Sequence, residues 1–159
     1  MGAPYLHMHP LAAARVDARP NSYTILLSGA VHVPKRILVL EDSGIMRDVC
    51  RGILEKKGYE VIEAGNAPRA LEALKQQHID LMFCDLNIPG TDGLEFVEAI
   101  RHEPALAALP VVMVTVERGP ELLARAQRAG IKDWLSKPYD AKQLLALAER
   151  FAGPTKPAN

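Results

Sequence analysis

Asp85 closes a short apolar run, Leu81-Met82-Phe83-Cys84, and opens the turn Leu86-Asn87-Ile88-Pro89-Gly90-Thr91-Asp92-Gly93. A carboxylate is thereby set at the tip of a strand beside a loop, which is where open α/β sheets bind ligands and carry out chemistry. Three other strand-like runs end in groups suited to a phosphate or a metal. Ile37-Leu38-Val39-Leu40 runs into Glu41-Asp42, Val111-Val112-Met113-Val114 into Thr115, and Trp134-Leu135-Ser136 into Lys137. Carboxylates brought together repel, so at neutral pH they share a proton, raise a pKa or bind a cation. A divalent metal is the economical answer. With oxygen donors only and no Cys/His set in place, that metal is Mg²⁺ rather than zinc.

Each residue also has an ordinary reading. An acidic pair such as Glu41-Asp42 usually sits on a solvated surface, Asp is common where strands give way to loops, Thr115 suits any strand, and Lys137 suits any surface. The combination is harder to dismiss: four strand ends, acids on one side, and a hydroxyl and an amine on the other to serve as donors for an anion.

The elements that must position these residues follow from periodicity. From Arg36 onward, short β-branched runs alternate with helical patterns, as βα units around a parallel sheet require. Strands are predicted near Ile37 to Leu40, Glu60 to Ile62, Leu81 to Cys84, Val111 to Val114 and Asp133 to Leu135. The first helix carries Ile45, Met46, Val49, Cys50, Ile53 and Leu54 as its sheet-facing stripe and stops at Gly58, with Arg47, Asp48, Glu55 and Lys56 mostly toward water. Asn66 caps the second helix, with Pro68 in its first turn. Asp92-Gly93 starts a third with Leu94, Val97 and Ile100, and Pro120 begins a fourth that ends at Gly130. Asp140 caps a fifth with Leu144, Leu147, Ala148 and Phe151. The fold class is α/β, a doubly wound five-stranded parallel sheet flanked by five helices.

The chain has 159 residues, 48% of them hydrophobic, which suits one globular domain and leaves little room for an effector domain. Its 19 Lys and Arg balance 19 Asp and Glu, with no basic stripe, which disfavours sequence-independent nucleic-acid binding. Cys50 and Cys84 have neither the number nor the spacing of a disulfide framework or zinc site and are expected as buried thiols. No apolar run approaches the roughly 20 residues of a membrane span. The expectation is a soluble, cytoplasmic protein. Residues 1–34, punctuated by Pro4, Pro10, Pro20 and Pro34, are expected to form a flexible extension, residues 35–152 the domain, and residues 153–159 a short tail. The His7 and His9 pair is a poor metal site on such a segment. No phosphate-cradling or dinucleotide-binding glycine motif occurs.

At these residues the chain resembles the receiver domain of response regulators, the CheY-like family of two-component signalling. The motifs that carry the resemblance occur in order from Lys35 to about Phe151. They are Leu40-Glu41-Asp42 with Arg47 on the next helix; Asp85-Leu86-Asn87-Ile88-Pro89-Gly90 with Asp92-Gly93; Val114-Thr115; the Gly130 turn; and Asp133-Trp134-Leu135-Ser136-Lys137-Pro138. The resemblance implies strand order 2-1-3-4-5 (flavodoxin-like) and a single-domain response regulator. Asp85 would accept a phosphoryl group from a sensor histidine kinase or a histidine phosphotransfer protein. It further implies Mg²⁺ held by Asp42, Asp85 and the main-chain carbonyl of Asn87, with Glu41 acting through water. Lys137 and Thr115 would engage the phosphoryl oxygens, and Lys137-Pro138 would be cis. The protein would then be a phosphorylation-dependent switch, not an enzyme beyond its own phosphorylation and dephosphorylation. A downstream protein would read the face made by the fourth helix, fifth strand and fifth helix.

Trp134 stands where that family places an aromatic that turns inward when the residue at Thr115 moves; simple core packing is the alternative reading. After Thr115 the family usually has a small Ala or Gly, whereas Val116 adds branched bulk, which implies restricted access and slower hydrolysis. Glu117 and Asn87 either steer the hydrolytic water or, for Glu117, form an ordinary exposed loop. Two rival functions use related parts. A haloacid-dehalogenase type of enzyme would place its nucleophile in the first motif with an acid two residues on, where Asn87 follows Asp85 here. A phosphate-independent pseudo-receiver would not need the complete set of acids, Thr and Lys.

Overall fold

The computed structural model describes residues 24–25 and 31–156. Five strands, β1 (Arg36–Leu40), β2 (Glu60–Ala64), β3 (Leu81–Asp85), β4 (Val111–Thr115) and β5 (Asp133–Ser136), alternate with five helices. These are α1 (Gly44–Lys57), α2 (Ala67–Gln76), α3 (Gly93–Ile100), α4 (Pro120–Arg128) and α5 (Ala141–Ala152). The strands form one parallel sheet in the order β2-β1-β3-β4-β5. That is the order, strand number and helix number expected. Each strand runs one or two residues beyond its apolar core: Asp85, Thr115 and Ser136 lie inside their ladders. A polar side chain ends the hydrophobic pattern without interrupting main-chain pairing, which no side chain supplies.

Alternation along the strands sends successive side chains to opposite faces. Leu38, Leu40, Met82, Cys84 and Met113 pack with Ala70 and Leu74 of α2, Leu94 and Val97 of α3 and Ala126 of α4. On the other face, Ile37, Val39, Phe83, Val112 and Val114 pack with Cys50 and Leu54 of α1 and Leu144 and Ala148 of α5. The sheet is thus a buried layer with helices on both sides, which leaves strand ends as the place where polar groups gather.

Local signals set the helix ends. Asn66 Oδ1 accepts the Arg69 amide at 2.9 Å, and Asp140 and Gln143 form a reciprocal capping box. Gly58 ends α1 at φ 103°, in the left-handed region that favours glycine. A short antiparallel hairpin, Asn87–Ile88 with Thr91–Asp92, follows β3 and has no counterpart in the sequence reading. Its two-residue arms are too short for an alternating pattern to register.

The apolar stripe of α1 requires a correction. Cys50 and Leu54 are buried and Met46 and Ile53 half-buried, but Ile45 is 78% and Val49 47% exposed. Two apolar rows lie side by side on this helix, about 100° apart, and only one can face the sheet. Arg47 is likewise half-buried rather than on the wet side. Cys50 and Cys84 are free, buried thiols. Within the N-terminal stretch, Thr24–Ile25 pairs with Val31–His32 in a two-residue antiparallel ladder. The expectations for residues 1–23 and 26–30, including His7 and His9, and for residues 157–159 lie outside the described residues. Among the described residues no helix is long and apolar enough to cross a membrane.

Candidate functional site

Register brings the expected residues to one edge. Leu40 of β1 pairs with Cys84 of β3, so Glu41 and Asp42 emerge beside Asp85. Asp85 pairs with Val114 of β4, and Thr115 pairs with Ser136 of β5, which delivers Lys137 from the far side. The Lys137 ammonium lies 2.7 Å from Glu41 Oε2 and 2.8 Å from Asp85 Oδ2. One carboxylate oxygen from each of Glu41, Asp42 and Asp85 falls within 4.8 Å of the others. Asp85 and Glu41 are each 6% exposed, while Asp42 faces solvent.

Buried carboxylates need donors, and both have them. The second oxygen of Asp85 accepts the Asn87 amide at 3.1 Å, and that of Glu41 accepts the Ser43 amide at 3.1 Å. Burial pushes the Glu41 carboxyl above its usual range, against the pull of Lys137 and the Ser43 amide. Burial works against the Lys137 ammonium, yet its bonds to Asp85 and Glu41 outweigh that and hold its pKa above the ordinary lysine value. Three carboxylates therefore face one ammonium. The all-oxygen donor set, one part open to solvent and in excess of its positive partner, fits a small divalent cation. A shallow recess of about 560 Å³, lined by Asp42, Asn87, Pro89 and Asp92 among others, opens beside the acids.

Thr115 is 2% exposed, and its hydroxyl accepts the Glu117 amide at 3.1 Å. An oxygen that accepts this way keeps its own proton to donate. Trp134 is half-buried and packs against the hydrophobic layer beneath α2, α3 and α4. Val116 projects at the mouth, 69% exposed. The Lys137-Pro138 bond is cis.

Three contacts were not foreseen from the sequence, although the residues that make them were named. Arg47 folds back from α1 and donates to the carbonyls of Glu41 at 2.7 Å and Asp42 at 3.0 Å, which fixes the acidic loop. Asn87 Nδ2 donates to Glu117 Oε1 at 3.0 Å, so Glu117 is exposed but joins the loops after β3 and β4 across the site. Gly93 lies against the Asp85 carbonyl, where a Cβ would come within 1.9 Å of the oxygen. The Arg47 and Gly93 positions belong to motifs visible in the chain, though their contacts are not; the Asn87–Glu117 pair leaves no local pattern.

The sequence model of the response regulator receiver domain matches residues 37–149. The chain is 35% identical over 112 residues to the CAI-1 autoinducer sensor kinase/phosphatase CqsS of Vibrio cholerae serotype O1, covering 70% of this chain and 16% of that protein. It is 32% identical over 112 residues to the phosphate regulon transcriptional regulatory protein PhoB of Escherichia coli K12, covering 70% of this chain and 49% of PhoB. The matched region is thus half or less of these relatives. Among solved structures, the chemotaxis protein CheY4 of Vibrio cholerae superposes with a TM-score of 0.72 at 30% identity, covering 75% of this chain and 99% of CheY4. A CheY-like receiver domain protein from Methanospirillum hungatei gives a TM-score of 0.69 at 27% identity, covering 74% of this chain and 93% of that one. With the family model matching residues 37–149 and CheY4 superposing over 75% of the chain, the chain belongs to the response regulator receiver domain family, the CheY-like phosphorylation switches of two-component systems.

Proposed function

We propose that Asp85 is the phosphoryl acceptor and that the receiver unit, residues 35–152, works as a Mg²⁺-dependent switch. The observation that carries this reading is the Lys137 ammonium bridging two nearly buried carboxylates, Glu41 and Asp85. In the reaction an Asp85 carboxylate oxygen attacks phosphorus in line, forming one P–O bond as the bond to the donor's leaving group breaks. Lys137 has three N–H donors, of which Glu41 and Asp85 use two, so one remains for a phosphoryl oxygen. Thr115 donates its free hydroxyl proton to another. Asp42, Asp85 and the Asn87 main-chain carbonyl, with Glu41 through water, would hold Mg²⁺, which when bound neutralises phosphoryl charge. Arg47 keeps the Glu41-Asp42 backbone in place for that purpose.

Two new charge-assisted bonds, from Thr115 and Lys137, are worth about 1.5 to 3 kcal/mol each, enough to shift a two-state loop by about 10² to 10⁴. Thr115 leads into the β4–α4 loop, and Trp134 on β5 is the group expected to report its movement. The phosphoryl donor is a sensor histidine kinase or a histidine phosphotransfer protein, and exposed Ile45, Val49 and Val116 supply apolar surface for docking near the acids. The downstream protein binds the α4, β5 and α5 face, where Leu123 is 44% exposed. The setting is cytoplasmic, with no direct role for nucleic acid or membrane insertion.

Incubation with acetyl phosphate and Mg²⁺ tests the assignment. The native chain should gain the mass of one phosphoryl group, and Asp85→Asn should not. Equal uptake by both chains, or none by the native one, would overturn it, and steady turnover of phosphate monoesters would point to a hydrolase instead.

A further inference from the structure

Lys137 must hold its ammonium between two carboxylates while standing in the connection that leaves the sheet after β5. Its own side chain is flexible, with four rotatable carbons, so its attraction to the acids does not by itself fix where the chain runs. Two residues later, Tyr139 turns back into the layer under α1 and α5 and is half-buried there. Its hydroxyl lies 2.8 Å from the thiol of Cys50, which is 4% exposed on the inner face of α1. A buried tyrosine hydroxyl needs a partner, and this thiol supplies it. Burial pushes both groups up, so at neutral pH the contact joins two uncharged groups.

The geometry of this contact has a consequence for the site. α1 begins immediately after the Glu41-Asp42 loop, and through Arg47 it grips the carbonyls of both acids. Through Cys50 the same helix holds Tyr139. The acids and the stretch bearing Lys137 are therefore tied to one rigid element. Two residues span about 7 Å at most, so the anchor at Tyr139 restricts how far the Lys137 backbone can drift.

We infer that Tyr139 and Cys50 are positioning residues for phosphoryl transfer, a latch that keeps the Lys137 ammonium over Asp85. The inference rests on Asp85 being the acceptor. The latch touches neither phosphoryl donor nor metal ligand, and it acts only through the placement of Lys137.

The test compares the native full chain with Tyr139→Phe, Cys50→Ala, Cys50→Ser and the double variant Tyr139→Phe/Cys50→Ala, each first confirmed native-like by circular dichroism. Phosphoryl uptake from acetyl phosphate with Mg²⁺ should slow about threefold to tenfold in Tyr139→Phe and in Cys50→Ala, the range that one net hydrogen bond supports. Cys50→Ser, which restores a donor and acceptor, should recover most of the rate. The double variant should be no slower than either single one, as for two partners in one contact. Independently of phosphate, modification of Lys137 by an amine-reactive reagent, read by mass spectrometry, should speed up in Tyr139→Phe and not in Cys50→Ser. Native uptake and labelling rates in Tyr139→Phe, additive losses in the double variant, or no rescue by Cys50→Ser would each overturn the latch. If the native chain takes up no phosphate while labelling of Lys137 still rises in Tyr139→Phe, the positioning contact stands and the acceptor assignment falls.

Discussion

Gly93 bears directly on the backbone of Asp85, although it carries no side chain. A Cβ there would lie 1.9 Å from the Asp85 carbonyl oxygen and 2.9 Å from Cys84 Sγ, both on β3, while the Gly93 amide donates to the Leu86 carbonyl at 2.6 Å. The obstruction is backbone, which cannot swing aside as a flexible side chain can. Gly93→Ala is expected to cost about 1 to 3 kcal/mol of stability and to depress phosphoryl uptake. Native thermal midpoint and uptake in that variant would contradict the account. Val116, 69% exposed directly after Thr115, is expected to restrict access of water to a phosphorylated Asp85. Val116→Ala should shorten the half-life of the phosphoryl group, measured by loss of the added mass over time, and an unchanged half-life would refute the shielding. The placement of Asp85, Thr115 and Lys137 at strand ends was legible from residue type and from the apolar runs they follow. The Asn87–Glu117 hydrogen bond was not, because it joins exposed loops through rotamers that no periodic pattern constrains.

At the scale of elements, α4 is fastened to α3 by two arginines. Arg125 meets Glu98 at 2.8 and 2.7 Å and Asp92 at 3.0 Å. Arg101 at the end of α3 donates to the carbonyls of Ala129, Leu106 and Ala107. The N-terminus of α4, after Gly119, has no side-chain cap. The α4 helix is thus held to α3 along its later turns, while its first turn carries no side-chain cap. Burial would raise the Asp92 pKa, but the Glu95 amide and the Arg125 guanidinium outweigh it and hold the carboxyl below its ordinary 3.8. A depressed carboxylate contributes stability above its unfolded-state pKa and loses it as pH falls through the folded one. Asp92→Asn should therefore lower the thermal midpoint near neutral pH and flatten its decline from about pH 5 to pH 2. A decline as steep as that of the native chain would remove Asp92 from the acid response. Helix starts at Asn66, Asp92 and Asp140 were readable because caps are local. The arginine clasps were not, since they depend on which helices the sheet order makes neighbours.

For the molecule as a whole, the single tryptophan offers a readout of switching. Mg²⁺ with a beryllofluoride phosphate mimic should change Trp134 fluorescence, chelation of the metal should reverse the change, and Thr115→Ala should blunt it; a flat response in the native chain would leave Trp134 as core packing alone. The sequence by itself determined the five alternating strands and helices, the residues at the strand ends and the chemistry those residues suit. Hydrophobic period, caps and turn residues act over a few neighbours, and a polar group can follow a buried strand only at its edge. The strand order came by way of resemblance rather than periodicity. Tertiary structure alone decided which apolar row of α1 faces the sheet, leaving Ile45 and Val49 in water, and that Lys137 shares its ammonium between Glu41 and Asp85. It also decided that Cys50 meets Tyr139 across 89 positions of chain. Such contacts are set by the register and packing of separated elements, which compete for the same space only once the chain has folded.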